Sequence, residues 1–157
     1  MGTLSKAAGS FGAYVCGSKE LIGFLINKAR RFIYTTAMPP SVAAASIKAI
    51  EIIEEEPQRR KKLWENTSYL REGLRKIGFD TMDSQTPIIP ILVKDSAVVL
   101  EFSKRLLEVG IFISAIRPPT VPLHTARLRV TVMATHTQND LIFVLEQFRR
   151  IGKDLCL

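Results

Sequence analysis

A lysine surrounded by small residues is the first candidate for chemistry in this sequence. Lys6 lies in the run 2–10, whose other members are mostly Gly, Ala, Ser and Thr. The run lacks the Gly-x-x-x-x-Gly-Lys spacing of a phosphate-binding loop. Small neighbours let a flat ligand approach an amine, and a lysine amine can form a Schiff base with a carbonyl group. The spacing alone leaves the alternative of an ordinary exposed lysine.

An arginine inside a predicted strand is the second candidate. Polar and apolar residues alternate over 127–132, which predicts a strand with one face in water. Arg127, Arg129 and Thr131 then share the wet face, and a guanidinium there could bind a carboxylate through two parallel hydrogen bonds. The alternative is a surface arginine whose aliphatic stem covers its apolar neighbours.

Threonines beside prolines form a third group. Thr35 and Thr36 shortly precede a Pro-Pro pair, and Thr120 directly follows another one. Hydroxyl groups in such rigid loops are well placed to bind anions. The alternative is that these hydroxyls bond their own backbone, as is common for turn residues.

The composition fits a globular protein of one domain, or of one small domain with additional segments. Of 157 residues, 46% are hydrophobic and 24% charged, which excludes a disordered chain. The net charge of +7 reflects 22 Lys+Arg against 15 Asp+Glu. The densest basic cluster, 59–62, follows an acidic run at 54–56, which favours a charged helix surface. No aromatic residues interleave with it, so we expect no nucleic-acid partner. The alternative is that the basic residues surround the entrance of a binding site and attract phosphorylated or CoA-bearing ligands.

Cysteine usage and hydropathy indicate the compartment. Cys16 and Cys156 are the only two cysteines, which excludes a disulfide framework and favours a reducing cytoplasm. The two cysteines and two histidines have no ligand spacing, so no metal site is expected. No apolar run approaches the roughly 20 residues that cross a bilayer. We therefore expect a cytoplasmic protein with no membrane partner.

Helices dominate the first half of the predicted structure. Ser18 is suited to cap a helix whose first turn contains Glu20. Pro57 either begins a further helix that runs to Lys76 or kinks one long helix. The other predicted elements are a short buried strand at 13–17, an extended turn at 32–40 and a helix over 41–55.

The second half of the chain predicts an α+β layer, because short strands alternate with amphipathic helices. Its sheet is expected to be small, antiparallel and backed by helices. The predicted strands are 88–93, 111–116 and 127–132, and the predicted helices are 96–109 and a last one from Asn139.

Three motifs, in order along nearly the whole chain, resemble the α-oxoamine synthases, which are pyridoxal-phosphate enzymes of the aspartate-aminotransferase fold. The motifs are Thr3-Leu4-Ser5-Lys6-Ala7-x-Gly9, then Phe32-Ile33-Tyr34-Thr35-Thr36 with Met38-Pro39-Pro40, and Ala115-Ile116-Arg117-Pro118-Pro119-Thr120-Val121-Pro122 with Thr125-Ala126-Arg127-Leu128-Arg129. The resemblance implies the α/β fold of type I pyridoxal-phosphate transferases, with a long interdomain helix and an α+β C-terminal domain.

Such enzymes condense an amino acid with an acyl thioester and release CO2. The stretch around Arg117-Pro118-Pro119 is most similar to the members that join L-alanine to a pimeloyl thioester, on CoA or a carrier protein, in biotin synthesis. The alternative within the family is a glycine acetyltransferase or another α-oxoamine synthase.

Residue by residue, the resemblance implies the roles in a pyridoxal phosphate site. Lys6 would carry the cofactor covalently and act as the catalytic residue, and Thr3 would contact the cofactor. Arg129 would bind the carboxylate of the amino acid, and Thr120 would contact substrate. The two further cofactor-binding residues are Thr35 and Thr36, which match a segment that reaches the cofactor phosphate of a partner subunit. A homodimer is therefore implied.

The sequence also departs from the family, because it begins just before the lysine. We therefore expect the C-terminal part of such an enzyme, inactive as an isolated chain. Its expected segments are 1–39 as the end of the large cofactor domain, 40–78 as the interdomain helix region and 79–157 as the small α+β domain. The third alternative is a non-catalytic fragment that folds and self-associates through exposed apolar surface.

Overall fold

Two compact units make up the chain. The computed structural model describes all residues, Met1–Leu157, and the units are Met1–Pro57 and Gln58–Leu157. The structure divides into two units, whereas three segments were predicted from the sequence. The three-segment division stays a prediction. No helix is long and apolar enough to cross a membrane. No group of three or more His, Cys, Asp or Glu residues is placed to hold a metal ion.

The first unit combines a small hairpin with three helices. The two hairpin strands pair antiparallel, with Gly2 opposite Tyr14 and Thr3 opposite Ala13. Its elements are β1 (Gly2–Thr3), β2 (Ala13–Tyr14), α1 (Lys19–Lys28), α2 (Arg30–Ile33) and α3 (Pro40–Glu55).

The predicted buried strand at 13–17 is wrong in length and in burial. Only Ala13 and Tyr14 form a strand, and both are exposed. A strand is buried when other strands or helices cover its faces and edges, whereas β2 pairs with the two residues of β1 alone.

The start of α1 agrees with the sequence. The Ser18 hydroxyl accepts a hydrogen bond from the Leu21 backbone N–H at 3.3 Å, which satisfies one of the free donors of the first turn. Hydrogen bonds from the Glu20 backbone and from Ser18 lower the pKa of the Glu20 carboxyl. The cap and the acidic first turn are confirmed.

The proline-containing connections are helical over more residues than expected. The extended turn predicted at 32–40 is wrong at its start, because α2 continues through Ile33. Pro40 then begins α3, as its fixed φ favours. Pro57 begins a separate helix, α4 (Pro57–Ile77), because Glu56 adopts non-helical angles (φ −114°, ψ 64°). Gly78 follows α4 at φ 111°, a conformation that favours glycine.

A small antiparallel sheet forms the centre of the second unit, as predicted, and its three strands lie in the order β3 (Ile88–Lys94), β5 (Ala126–Thr131) and β4 (Ser114–Ile116). Its middle strand, β5, lies antiparallel to both neighbours. The elements are β3 (Ile88–Lys94), α5 (Ser96–Glu108), β4 (Ser114–Ile116), β5 (Ala126–Thr131) and α6 (Gln138–Asp154).

The core lies on one face of this sheet. Leu128 and Val130 of β5 are buried, while the alternate residues of the strand are partly or fully exposed. The rings of Phe79, Phe102 and Phe148 pack together with centroid separations of 5.2–5.9 Å. The predicted alternation, with one dry and one wet face, is confirmed.

Strand β4 is shorter than the predicted 111–116. The Ile111 N–H donates to the Leu106 carbonyl at 2.8 Å, and the Ile113 carbonyl accepts from the Ser103 hydroxyl at 2.6 Å. Because these backbone groups bond α5, pairing with β5 begins only at Ser114.

Candidate functional site

Lys6 lies in the loop of the β1–β2 hairpin. The Leu4 N–H donates to the Gly12 carbonyl and the Ser10 N–H to the Leu4 carbonyl, each at 2.9 Å. The Gly9 N–H donates to the Lys6 carbonyl, also at 2.9 Å, which closes a tight turn around the lysine. Gly9 has φ +57° and open space at its Cβ position, so this turn favours glycine for its backbone angle.

Serine hydroxyls anchor this loop to α3. Ser10 Oγ lies 2.8 Å from Ser46 Oγ and donates to the Val42 carbonyl at 3.2 Å. The Met38 methyl lies so close to Gly12 that a Cβ there would approach it to 2.8 Å. This anchor was not predicted from the sequence, where its only signal is a serine in an alanine-rich helix.

The side chains of Lys6 and Thr3 differ in their availability. Lys6 is exposed and forms no ion pair. Thr3 Oγ1 lies 2.8 Å from Ser5 Oγ, accepts from the Ser5 N–H at 3.3 Å and donates to the Gly12 carbonyl at 3.4 Å. Thr3 therefore shapes the loop, whereas the Lys6 amine is available to a ligand.

Thr35 and Thr36 follow α2 and are exposed. The Thr35 N–H donates to the Phe32 carbonyl at 3.4 Å, so the backbone there continues the end of the helix. No hydrogen bond within the chain involves either threonine hydroxyl. Both hydroxyls can therefore donate to an external anion.

Arg129 lies in the middle of β5, on the face opposite the core. Its backbone neighbours are Pro90 of β3 and Ser114 of β4. The Arg129 side chain is exposed and forms neither a hydrogen bond nor an ion pair within the chain. The sheet thus presents one unpaired guanidinium on a rigid strand.

Arg127 shares that face but is already engaged. Its Nε donates to the Thr125 carbonyl at 2.9 Å, and one terminal nitrogen lies 3.5 Å from the Met82 sulfur. Arg129 is therefore the arginine of β5 that can bind an external carboxylate.

Thr120 lies in the loop that leads into β5. Its N–H donates to the Arg117 carbonyl at 3.1 Å, while its exposed hydroxyl has no partner within the chain. A cleft of about 710 Å³ in the same unit has Arg129, Phe112 and Met133 in its lining. The second unit thus holds the predicted carboxylate ligand and the predicted substrate-contacting threonine.

A family model describes nearly the whole chain. Residues 1–148 match the family described as aminotransferase class I and II. The chain belongs to this family. The match covers both units, including every candidate residue from Thr3 to Arg129.

Relatives within the family are more specific. The 8-amino-7-oxononanoate synthase of Symbiobacterium thermophilum is 50% identical over 157 residues, 100% of this chain and 40% of that protein. The enzyme of the same name from Geobacter metallireducens is 48% identical, over 99% of this chain and 40% of that protein. The chain thus spans about 40% of the length of these curated relatives, and the similarity to 8-amino-7-oxononanoate synthases is confirmed.

Solved structures of this aminotransferase family agree in fold. Sphingomonas wittichii serine palmitoyltransferase matches with a TM-score of 0.93 at 28% identity, over 99% of this chain and 39% of that one. The 8-amino-7-oxononanoate synthase of Francisella tularensis matches with a TM-score of 0.85 at 27% identity, over 99% of this chain and 45% of that one. A structure of SPT with PLP has a TM-score of 0.93. The predicted fold class, that of type I pyridoxal-phosphate transferases, is confirmed.

Proposed function

We propose that this chain supplies the lysine segment and the small domain of a pyridoxal-phosphate-dependent acyltransferase. The enzyme would condense L-alanine with a pimeloyl thioester to give 8-amino-7-oxononanoate, CO2 and the free thiol, a step of biotin synthesis. Relatives with that enzyme name are 43–50% identical to the chain, which supports the proposal. Because the chain spans about 40% of their length, the activity would require a longer polypeptide.

The residues around Lys6 fit pyridoxal phosphate. Imine formation with an aldehyde requires an amine that no paired carboxylate holds in its charged ammonium form, and a flat ring requires small neighbours. Lys6 meets both conditions, since it forms no ion pair and stands in a turn with Ala7, Ala8 and Gly9. The free hydroxyls of Thr35 and Thr36 suit an anionic phosphate, which we propose belongs to a partner subunit of a homodimer.

The observation that carries the proposal is the unpaired guanidinium of Arg129 on a central strand. A strand interior holds a side chain more precisely than a loop does, and arginine binds a carboxylate through two parallel bonds. We propose that Arg129 binds the carboxylate of L-alanine and so fixes how the bonds at its Cα are oriented.

Each residue then has a defined task. Bound pyridoxal phosphate would supply an electron sink for charge that develops at the substrate Cα. Lys6 Nζ would carry the cofactor, and, once displaced by the amino acid, would accept the proton of Cα. Thr120 would donate a hydrogen bond to substrate, and Thr3, whose hydroxyl also shapes the lysine loop, would contact the cofactor. A cytoplasmic enzyme is proposed.

The decisive experiment uses a chimaera in which this chain replaces its matched segment in the Symbiobacterium thermophilum relative. We expect the chimaera to form 8-amino-7-oxononanoate, detected by mass spectrometry. Lys6→Ala should lower kcat at least about a hundredfold, the lower end for loss of a general base. Lys28→Ala, which changes an exposed lysine of α1, is the matched control. An active Lys6→Ala chimaera would refute the assignment.

Substrate specificity separates the two remaining family alternatives. The chimaera should prefer L-alanine with pimeloyl-CoA over glycine with acetyl-CoA. It should also prefer them over L-serine with palmitoyl-CoA. This third pair is tested because a serine palmitoyltransferase is 28% identical to the chain. Arg129→Lys should raise KM for the amino acid roughly 10- to 100-fold, because a charged bidentate bond is worth about 1.5–3 kcal/mol.

The isolated chain tests the non-catalytic alternative. Borohydride reduction after incubation with pyridoxal phosphate, followed by peptide mapping, reports how much label Lys6 takes relative to Lys28. Preferential labelling of Lys6 would show that the lysine loop alone favours the cofactor. Equal labelling, concentration-dependent sedimentation and an inactive chimaera together would identify a fragment that only folds and self-associates.

A further inference from the structure

We propose that Arg127 is a positioning residue that ties together two loops on the Arg129 side of the sheet. The first is the substrate loop, residues 117–125, which carries Thr120. The second is the clamp loop, residues 80–84, which connects α4 to β3. The functional part of this inference rests on the proposed function, whereas its structural part does not.

The clamp loop is held by arginines of α4. Arg71 donates to the Ser84 carbonyl at 2.9 Å. Arg75 donates through Nε to the Thr81 hydroxyl at 2.7 Å and through a terminal nitrogen to the Met82 carbonyl at 3.2 Å. Thr81 is 1% exposed, so the loop is rooted in the protein interior.

Met82 is fixed at its backbone and contacts Arg127 through its side chain. Its N–H donates to the Asp80 carboxylate at 2.7 Å, and its φ of +50° is unusual for a residue with a side chain. Its sulfur lies 3.5 Å from a terminal nitrogen of Arg127. The clamp loop thus contacts one end of the Arg127 guanidinium through the Met82 sulfur, a weak acceptor.

The opposite side of the same guanidinium holds the substrate loop. Arg127 Nε donates to the Thr125 carbonyl at 2.9 Å. The Thr125 hydroxyl donates in turn to the Pro122 carbonyl at 2.7 Å, and His124 has φ +60°. These contacts fix the end of the loop that carries Thr120.

The chemistry of arginine explains this arrangement. None of Arg71, Arg75 and Arg127 forms an ion pair; all three bind carbonyl, hydroxyl or sulfur acceptors of the two loops. A planar guanidinium can donate in two directions at once, whereas an ammonium on a flexible stem cannot reproduce that fork. Arg127→Lys therefore preserves the charge and removes the bridge.

Hydrogen exchange of the backbone amides of the isolated chain, followed by NMR, tests the Arg127 bridge without an enzyme assay. Arg127→Lys should accelerate exchange of the Thr125 and Met82 amides at least about tenfold while the buried amides of Leu128 and Val130 keep their rates. Arg129→Lys is the matched control and should leave both loops unchanged. Unchanged loop rates in Arg127→Lys, or equal acceleration of the core amides, would overturn the proposal.

Two further variants separate positioning from general stability. Met82→Leu preserves the apolar volume and removes the sulfur contact, so it should accelerate exchange in the clamp loop and, because the guanidinium loses one of its two contacts, also at Thr125, although less than Arg127→Lys does. In the chimaera, Arg127→Lys should raise KM for the substrate that Thr120 contacts about tenfold and change kcat less than twofold. A loss confined to kcat would overturn the positioning role. An inactive parent chimaera would instead reject the proposed function and leave the exchange result valid.

Discussion

The end of β5, the strand that carries Arg129, depends on one buried amide. Asn66 of α4 is 2% exposed, and its Nδ2 donates to the Met133 carbonyl at 3.0 Å and to the His136 carbonyl at 2.9 Å. These carbonyls belong to the turn that leads from β5 to α6. We predict that Asn66→Ala destabilises the second unit by about 2–3 kcal/mol.

The two hydrogen bonds that Asn66→Ala removes contribute unequally to the predicted destabilisation. The Met133 carbonyl also accepts the His136 N–H at 3.3 Å, so it retains a partner and the lost bond costs about 1 kcal/mol. The His136 carbonyl retains no other partner within the chain, and an unsatisfied polar group costs about 1–3 kcal/mol. The better helix propensity of alanine returns about 0.5 kcal/mol.

Urea denaturation followed by the fluorescence of Trp64, the single tryptophan, measures the effect on the second unit. With a slope of about 1–3 kcal/mol/M, the midpoint should fall by roughly 0.7–3 M. Thr67→Val is the matched control. Thr67 is equally buried, but its hydroxyl donates to the Leu63 carbonyl at 2.6 Å. In Thr67→Val this carbonyl still accepts the helical backbone N–H of residue 67, so it keeps a hydrogen-bond partner. The control should cost less than about 1 kcal/mol, and equal losses in the two variants would refute the reasoning.

Three further variants test the packing and electrostatics of the second unit. The pKa of Asp140 lies below its ordinary value of 3.8, because the backbone N–H and the hydroxyl of the residue that caps α6 donate to its carboxylate. The stability advantage over Asp140→Asn should therefore be constant above about pH 5 and shrink as the pH falls below 3.8 in acid-denaturation curves. Gly152→Ala should destabilise by about 1–3 kcal/mol, since its Cβ would lie 2.5 Å from the buried Phe79 ring. Gly73→Ala, whose Cβ would meet only the mobile end of Leu145, should cost less in the same urea titration; equal costs would contradict the packing argument.

The fold of the second unit follows closely from local sequence rules. Alternation over 127–132 predicts β5, and the wet and dry faces have the expected residues. The prediction fails for residues 111–113, where backbone groups bond α5 and leave the sheet. Apolar content alone cannot predict this outcome, because the Ser103 side chain of α5 bonds a backbone carbonyl that would otherwise be available to pair within the sheet.

The candidate site was predictable in its residue types and not in its contacts. The resemblance and the spacing select Lys6 and Arg129. The difference between Arg127 and Arg129 depends on Met82, which is 45 residues away from Arg127 in sequence. Likewise, Ser46 supports the lysine loop across 36 residues. Contacts over such separations arise from the tertiary fold and have no local signature.

Part of the net positive charge of the chain comes from arginines of the second unit that no acidic side chain pairs with. Four arginines there, Arg71, Arg75, Arg127 and Arg129, form no ion pair. Three of them are held by neutral acceptors, and these bonds fix their positions while their charge persists. An approaching carboxylate therefore meets the free guanidinium of Arg129, in a cleft whose lining also includes Asp140. Raising the ionic strength should weaken carboxylate binding more than it weakens the loops, because direct hydrogen bonds to neutral groups are less sensitive to screening.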